Sequence, residues 1–290
     1  MNSKVTINDI ESSDQPLTCL TCYDYLTARV MDRVSELDMI LVGDSLGNVM
    51  LGYDDTIPVI TDDMVHHTKA VSKGVEDAFL VADIPFMELA RDRDHVVRIV
   101  QRLCQQGGAE AVKIEGGRKN MRSIQHIVNH DVPVIGHLGL TPQSVQALGG
   151  YRVQANSKPD IKQLGRDARA LEETGVSAIV LECIPEGVAG ELTELLDVPT
   201  IGIGAGSGCD GQVLVWQDMM GLTGDESPKF VRQWGDFDQD LARGVKSFCE
   251  AVKNKEYPSE EESFQVDDDI SELNIKELLT SGINSGLENE

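Results

Sequence analysis

The stretch FLVADIPFMELARDRDHVVRIVQRLCQQGGAEAVKIE (Phe79–Glu115) decides how the rest of the chain is read. Phe79 to Asp83 and Ala111 to Glu115 are short apolar runs of strand length. Between them Asp94 to Gln106 carries a helical apolar pattern, and Gly107 closes it. Strand, helix and strand in that order form a βαβ unit, which brings the two strands into parallel pairing.

The same alternation extends outward in both directions, to about Val215. The other candidate strands are Leu17–Cys22, Met39–Gly43, Val132–His137, Ala178–Glu182 and Val198–Gly202. Helical patterns run over Thr27 to Leu37, Asp62 to Gly74 and Asp160 to Thr174, with Gly74 and Gly175 as further closing residues. Thr141 before Pro142 reads as an N-cap with proline in the first turn. An eighth strand falls within Gln212–Trp216 or Met219–Leu222. So many units leave an open doubly wound sheet or a closed barrel. The first strand runs into Tyr23-Asp24-Tyr25, where a dinucleotide-binding sheet would carry a glycine-rich turn. The expected fold is therefore α/β, a (β/α)₈ TIM barrel over residues 1–264, with an acidic tail over 265–290. In that tail Ile270 to Leu279 suggests a short amphipathic helix, and the remainder is expected to be disordered or loosely docked.

Bulk properties agree. Of 290 residues 41% are hydrophobic and only 4% aromatic, which suits a core of aliphatic residues around a parallel sheet. Met1 to Asp14 is polar and holds no secretory signal, and no apolar run could span a bilayer, so the protein is expected to be soluble and cytoplasmic. The net charge of −24 argues against nucleic acid or an anionic membrane as a partner. Residues 256–290 carry −10 of it and the rest −14, so the body is acidic too. Such self-repulsion is screened by salt, and melting temperature is expected to rise between low and molar KCl. Cys19 and Cys22 form a C-x-x-C, but no second ligand pair accompanies them, so all six cysteines are read as reduced thiols.

The chemistry is expected where strands end. The runs that start at Met39, Phe79, Ala111, Val134 and Ala178 end in or run into Asp44, Asp83, Glu115, His137 and Glu182. In a parallel barrel the C-terminal strand ends share one face, where active sites are built. Lys113 lies two residues before Glu115, so both point to one side and need partners there. Asp44, Asp83 and Glu115 offer hard oxygen ligands suited to Mg²⁺. Zinc is disfavoured, since no His or Cys pair has ligand spacing. Glu182 stands apart, and partial burial would raise its pKa toward that of a general base. His66 and His67 in a helical pattern, and His95, His126 and His130 on helix surfaces, are read as structural. Gly202-Ile203-Gly204-Ala205-Gly206 lets backbone approach a ligand or makes a tight turn.

LVGDSLG (Leu41–Gly47), ADIPFM (Ala82–Met87), VKIEGG (Val112–Gly117), GHLGLTPQSV (Gly136–Val145), LGGYRVQ (Leu148–Gln154), VLECIP (Val180–Pro185) and IGIGAG (Ile201–Gly206) occur in that order. With DGQVLVWQDMMGL (Asp210–Leu222) and YPSEEESF (Tyr257–Phe264), this arrangement resembles the ketopantoate hydroxymethyltransferase family from about Leu17 to Phe264. The resemblance implies a (β/α)₈ barrel that moves a hydroxymethyl group from 5,10-methylenetetrahydrofolate to the 2-oxo acid 3-methyl-2-oxobutanoate, giving 2-dehydropantoate on the way to pantothenate and coenzyme A. It implies Mg²⁺ on Asp44 and Asp83, with Glu115 completing or flanking the shell. Asp44, Ser45, Asp83, Lys113 and His137 would form the substrate site, with Glu182 as base. It also implies a homo-oligomer, a ring-like decamer. The tail after Phe264 and the strong acidity depart from the family. Barrels of the isocitrate lyase and phosphoenolpyruvate mutase kind carry a Lys-Lys-Cys-Gly-His loop that is missing here. A catalytically silent barrel is disfavoured by the intact strand-end set.

Overall fold

Eight parallel strands close in chain order, each bonded to the next and the eighth to the first. They are β1 (Leu17–Thr21), β2 (Met39–Val42), β3 (Phe79–Asp83), β4 (Ala111–Glu115), β5 (Val134–Gly139), β6 (Ala178–Glu182), β7 (Thr200–Ile203) and β8 (Gly211–Leu214). The computed structural model describes residues 4–224, 227–266 and 273–285. The chain divides into two units, Met1–Asp236 and Phe237–Glu290. The first holds the barrel. The second includes helices over Phe237–Lys253 and Ile275–Ser285, and the start of the helix expected from Ile270 lies outside the described residues. Among the described residues no helix is long and apolar enough to cross a membrane.

The strands separate two cores because successive side chains point to opposite faces. Leu17, Cys19, Met39, Leu41, Phe79, Val81, Ala111, Ile135, Ala178, Val180, Ile201 and Val213 fill the barrel interior. Ile40, Val42, Leu80, Ala82, Val112, Ile114, Val134, Leu138, Ile179 and Leu181 face the surrounding helices. A short N-terminal helix over Ile7–Glu11, not anticipated from sequence, adds the fully buried Ile10 to the inner core, and Thr6 caps it. Burying a side chain the size of Phe79 contributes ~1.5–3 kcal/mol.

The helix over Arg93–Gln101 starts at Asp92, whose carboxylate accepts from His95 N at 2.9 Å. It buries Val96, Ile99 and Val100, then continues as a π-turn over Arg102–Gly107 that buries Leu103, the i, i+3, i+4, i+7 stripe of an amphipathic segment. The helix over Lys158–Thr174 has Ser157 as N-cap and Gly175, at φ 89°, as its left-handed end.

Several sequence expectations are corrected. The left-handed cap after the π-turn is Gly108, at φ 87°, rather than Gly107. Gly74 does not cap the helix that ends at Val71; a Cβ there would lie 2.7 Å from the Tyr25 carbonyl oxygen, so a close approach demands it. Thr141 makes no side-chain cap, and Pro142–Ser144 is a 3₁₀ turn. His95 is not a surface residue: 15% of its side chain is exposed, and it pairs with Glu88. Strands β5 and β7 each begin two residues later than read, because Pro133 and Pro199 lack the N–H a ladder needs. The eighth strand falls at the first of its two candidate places.

Candidate active site

Strand alternation extends the inner core upward into a charged layer. Asp83, Lys113, Glu115, His137 and Glu182 sit an even number of residues beyond Phe79, Ala111, Ile135 and Ala178, and so face inward. Register sets Asp83 beside Lys113, Glu115 beside His137 and Glu182 beside Gly139. Asp44 joins from the loop after β2. A Cβ at Gly43 would stand 2.7 Å from Ser45 Oγ and 3.5 Å from Asp83 Oδ2. The bare backbone therefore lets Asp44 N donate to Asp83 Oδ2 at 2.9 Å.

The polar groups form one chain of contacts. Lys113 Nζ lies 3.0 Å from Asp83 Oδ1 and 3.2 Å from His137 Nδ1. His137 Nδ1 is 3.6 Å from Glu115 Oε1, and its Nε2 is 3.1 Å from Glu182 Oε2. An ammonium cannot accept a hydrogen bond, so His137 Nδ1 accepts from Lys113 and the ring proton resides on Nε2, toward Glu182. Burial and the neighbouring lysine both hold the imidazole pKa well below its ordinary value, so the ring is neutral. His137 Nε2 makes no properly aligned hydrogen bond despite its burial, which leaves its N–H available to an incoming acceptor.

The charges are unbalanced. Four carboxylates share one lysine in a water-poor space. Burial, then the neighbouring Asp83, raise the Asp44 pKa to about 7. Burial and the field of Asp44 push Glu115 well above the carboxylate range. Burial alone lifts Glu182 to about 7, against the pull of Lys113. Burial would lower Lys113, but Asp83, Glu115 and Asp44 outweigh it and keep the amine charged. Glu182 is the most exposed of the inward-facing set, with 15% of its side chain accessible against 3% for His137 and 4% for Glu115. It is the carboxylate that a molecule entering the mouth meets.

Two functional contacts were not read from sequence. Gln143, in the loop after β5, donates from Nε2 to Asp44 Oδ2 at 2.8 Å and to the Ile84 carbonyl at 2.9 Å. Its backbone N–H donates to Glu115 Oε2 at 3.0 Å. One residue thus fixes two of the three candidate metal carboxylates. Its place in the GHLGLTPQSV motif was the available signal. Tyr23, fully buried, holds the Ser45 hydroxyl through its own hydroxyl at 2.8 Å. Cys19 and Cys22 both carry free, buried thiols raised to about 12 by burial, and they enter different cores, so they form no joint site. His67 Nδ1 bonds the Tyr23 carbonyl at 2.7 Å, and His126 stacks edge-on with His130, in keeping with structural roles.

The residues fit a hard divalent cation. Asp83 Oδ1 is buried with only its ion pair to Lys113 as a partner, and Asp44 engages Gln143 through Oδ2. The surplus negative charge asks for a positive partner. Among the described residues no three His, Cys, Asp or Glu side chains close into a finished ion cage. That suits Mg²⁺, which takes one or two carboxylates and fills its shell with water and ligand oxygens, better than zinc in a closed protein site.

The family model for ketopantoate hydroxymethyltransferase matches residues 3–260. The chain is 47% identical over 265 residues to the 3-methyl-2-oxobutanoate hydroxymethyltransferase of Thermoanaerobacter sp. (strain X514), covering 91% of this chain and 96% of that protein. It is 50% identical over 261 residues to that of Koribacter versatilis (strain Ellin345), covering 90% and 88%. Among solved structures, phosphonopyruvate hydrolase in complex with oxalate and Mg²⁺ has the same fold at a TM-score of 0.56 and 14% identity, covering 99% of this chain and 97% of that one.

Proposed function

The chain belongs to the ketopantoate hydroxymethyltransferase family, and from that premise we propose that it converts 3-methyl-2-oxobutanoate, 5,10-methylenetetrahydrofolate and water to 2-dehydropantoate and tetrahydrofolate, with Mg²⁺ as cofactor. The observation that carries the reading is the meeting of a raised Glu182, the most exposed of the inward-facing set, with the crowded carboxylates of Asp44 and Asp83 around a single lysine.

Asp44 and Asp83 would hold Mg²⁺, with Glu115 completing or flanking its shell. When bound, the ion supplies a Lewis acid for the carboxylate and 2-oxo oxygens of the substrate. Glu182, with a pKa near neutrality, takes the C3 proton. The permanently charged Lys113 stabilises negative charge on the resulting enolate. Neutral His137 donates its Nε2 proton to the substrate carboxylate, and Ser45, held by Tyr23, offers a second donor. The layer below is apolar, so the substrate's methyl groups meet no competing polar group there.

A C–C lyase or mutase reading shares the barrel fold, but the chain lacks that group's Lys-Lys-Cys-Gly-His loop. We also propose a cytoplasmic homo-oligomer, which sedimentation would size. The reaction is tested by proton NMR of the complete mixture. 2-Dehydropantoate is expected with Mg²⁺, and none with EDTA. Folded protein that gives no product in either condition sinks the reading.

A further inference from the structure

The loop after β5 leans across the barrel mouth. Its Gln143 reaches Asp44 in the loop after β2 at 2.8 Å and the Ile84 carbonyl after β3 at 2.9 Å. Further along the same loop, the stretch Gly149–Val153 is pinned at both ends. At its start Gly150 N donates to the Val145 carbonyl at 2.9 Å, which fixes it to the helical turn Val145–Leu148. Just past its end Gln154 N donates to the Cys183 carbonyl at 2.8 Å, one residue beyond Glu182.

Between the pins the chain is free to move. Among the described residues, the backbone N–H groups of Tyr151, Arg152 and Val153 donate to no partner. The Arg152 and Val153 carbonyls are held only by nearby amide side chains, Gln154 Nε2 at 2.8 Å and Asn156 Nδ2 at 3.0 Å. Gly149 has φ 72° and Gly150 φ 112°, and a Cβ at Gly150 would meet nothing within 4 Å. The left-handed backbone, rather than crowding, therefore asks for glycine, as at a hinge.

Tyr151 is 56% exposed, yet its phenol stands over the anions of the mouth. Burial, then the charges of Asp55, Glu182, Asp44 and Glu115, hold its pKa above the ordinary tyrosine value, so it is a proton donor. Asp55 acts on it most strongly of the four, from the loop after β2. Asp55 Oδ1 accepts from Ile57 N at 2.9 Å, while Oδ2 has no hydrogen bond among the described residues. Met50, Leu51 and Tyr53 expose apolar surface on the same loop, and Val153 does so on the strap. Covering such a rim releases its water, and closure over a reacting anion keeps water from the base. We propose that Gly149–Val153 is a strap that closes over the occupied mouth, with the Tyr151 hydroxyl donating to the Asp55 carboxylate as its latch. Tyr151 and Asp55 are then positioning residues that hold the 2-oxo acid at Glu182. The proposal rests on the reaction proposed above.

Trypsin reads the strap directly, since Arg152 is an exposed cleavage site within it. Mg²⁺ with 3-methyl-2-oxobutanoate should slow cleavage of the Arg152–Val153 bond by roughly tenfold or more, with cuts elsewhere in the chain as the reference. Tyr151→Phe and Asp55→Asn break the latch; the asparagine keeps the bond to Ile57 and turns a donor toward the phenol. Each should lose most of that protection and weaken Mg²⁺-dependent binding of 3-methyl-2-oxobutanoate, measured by calorimetry, by roughly tenfold, the size of one lost charge-assisted bond. The double variant should bind no more weakly than either single one. Equal cleavage with and without a ligand that calorimetry shows to be bound would overturn the strap. Additive losses in the double variant, or unchanged binding in both single ones, would overturn the latch. Wild-type protein that binds no 3-methyl-2-oxobutanoate in Mg²⁺ would instead overturn the proposed reaction, and the strap with it.

Discussion

Phe79 and Asp83 lie at the two ends of one strand, β3, and face the same interior. Around Phe79 the interior is apolar from every strand, with Leu17, Met39, Ala111, Ile135, Ala178, Ile201 and Val213 in one cluster. Around Asp83 it holds four carboxylates, a lysine and a histidine, and the buried His137 Nε2 finds no aligned hydrogen bond. The lower level satisfies every rule of a stable core. The upper level violates several of them: like charges are gathered, desolvated and only partly paired. Such concentrated cost on one face of an otherwise consistent fold marks the place where the fold is used.

Substitutions in the two levels should therefore fail differently. The largest expected effect is at Glu182→Gln, which keeps the shape but removes the base. C3 proton removal should fall by about 10²–10⁴-fold while 3-methyl-2-oxobutanoate still binds, as read by NMR exchange and calorimetry. Near-normal exchange would dismiss Glu182 as the base. In the lower level, Phe79→Ala should destabilise by ~3–5 kcal/mol in denaturant titration, yet the protein that remains folded should keep its Mg²⁺ dependence. Loss of metal response at full stability would erase the division between the levels.

Gln143→Ala lies between these extremes. With Asp44 no longer tethered, while the backbone bond to Glu115 remains, Mg²⁺ affinity in the presence of substrate, measured by calorimetry, should weaken by ~10–100-fold. Equal affinity with lower kcat alone would show that the tether serves another purpose. The smallest effect concerns pH. Glu182 has a folded pKa of about 7 against an ordinary value of 4.5, so the folded state holds its proton more tightly than the unfolded state. Its contribution to stability is present below the unfolded value and is lost as pH rises through the folded one. In metal-free protein, Glu182→Gln should raise the melting temperature at pH 8 relative to wild type and leave it little changed at pH 4. The opposite order would mean that Glu182 is stabilised, not strained, by its surroundings.

How much of this was legible depended on sequence distance. Asp83, Lys113, Glu115 and Glu182 could be read because each belongs to a strand whose period-two alternation declares which way it faces. The eighth strand stayed ambiguous because four residues with Gln212 among them give almost no apolar pattern. Gln143 escaped because its meaning lies in Asp44, 99 residues away, and in a loop without periodicity. Gly108 was missed as a cap because the π-turn adds a residue that helical spacing does not foresee. His95 was misplaced because its burial comes from Glu88, in a 3₁₀ turn with no sequence signal of its own.

The central claim is that the charged upper level removes a proton from C3 of a 2-oxo acid with the help of a bound cation. Deuterium exchange at C3 of 3-methyl-2-oxobutanoate in heavy water, followed by proton NMR without any folate, tests it most directly. Rapid exchange with Mg²⁺ that disappears on adding EDTA is the expected result. Exchange that proceeds equally well in EDTA, or that survives Glu182→Gln, would contradict the account.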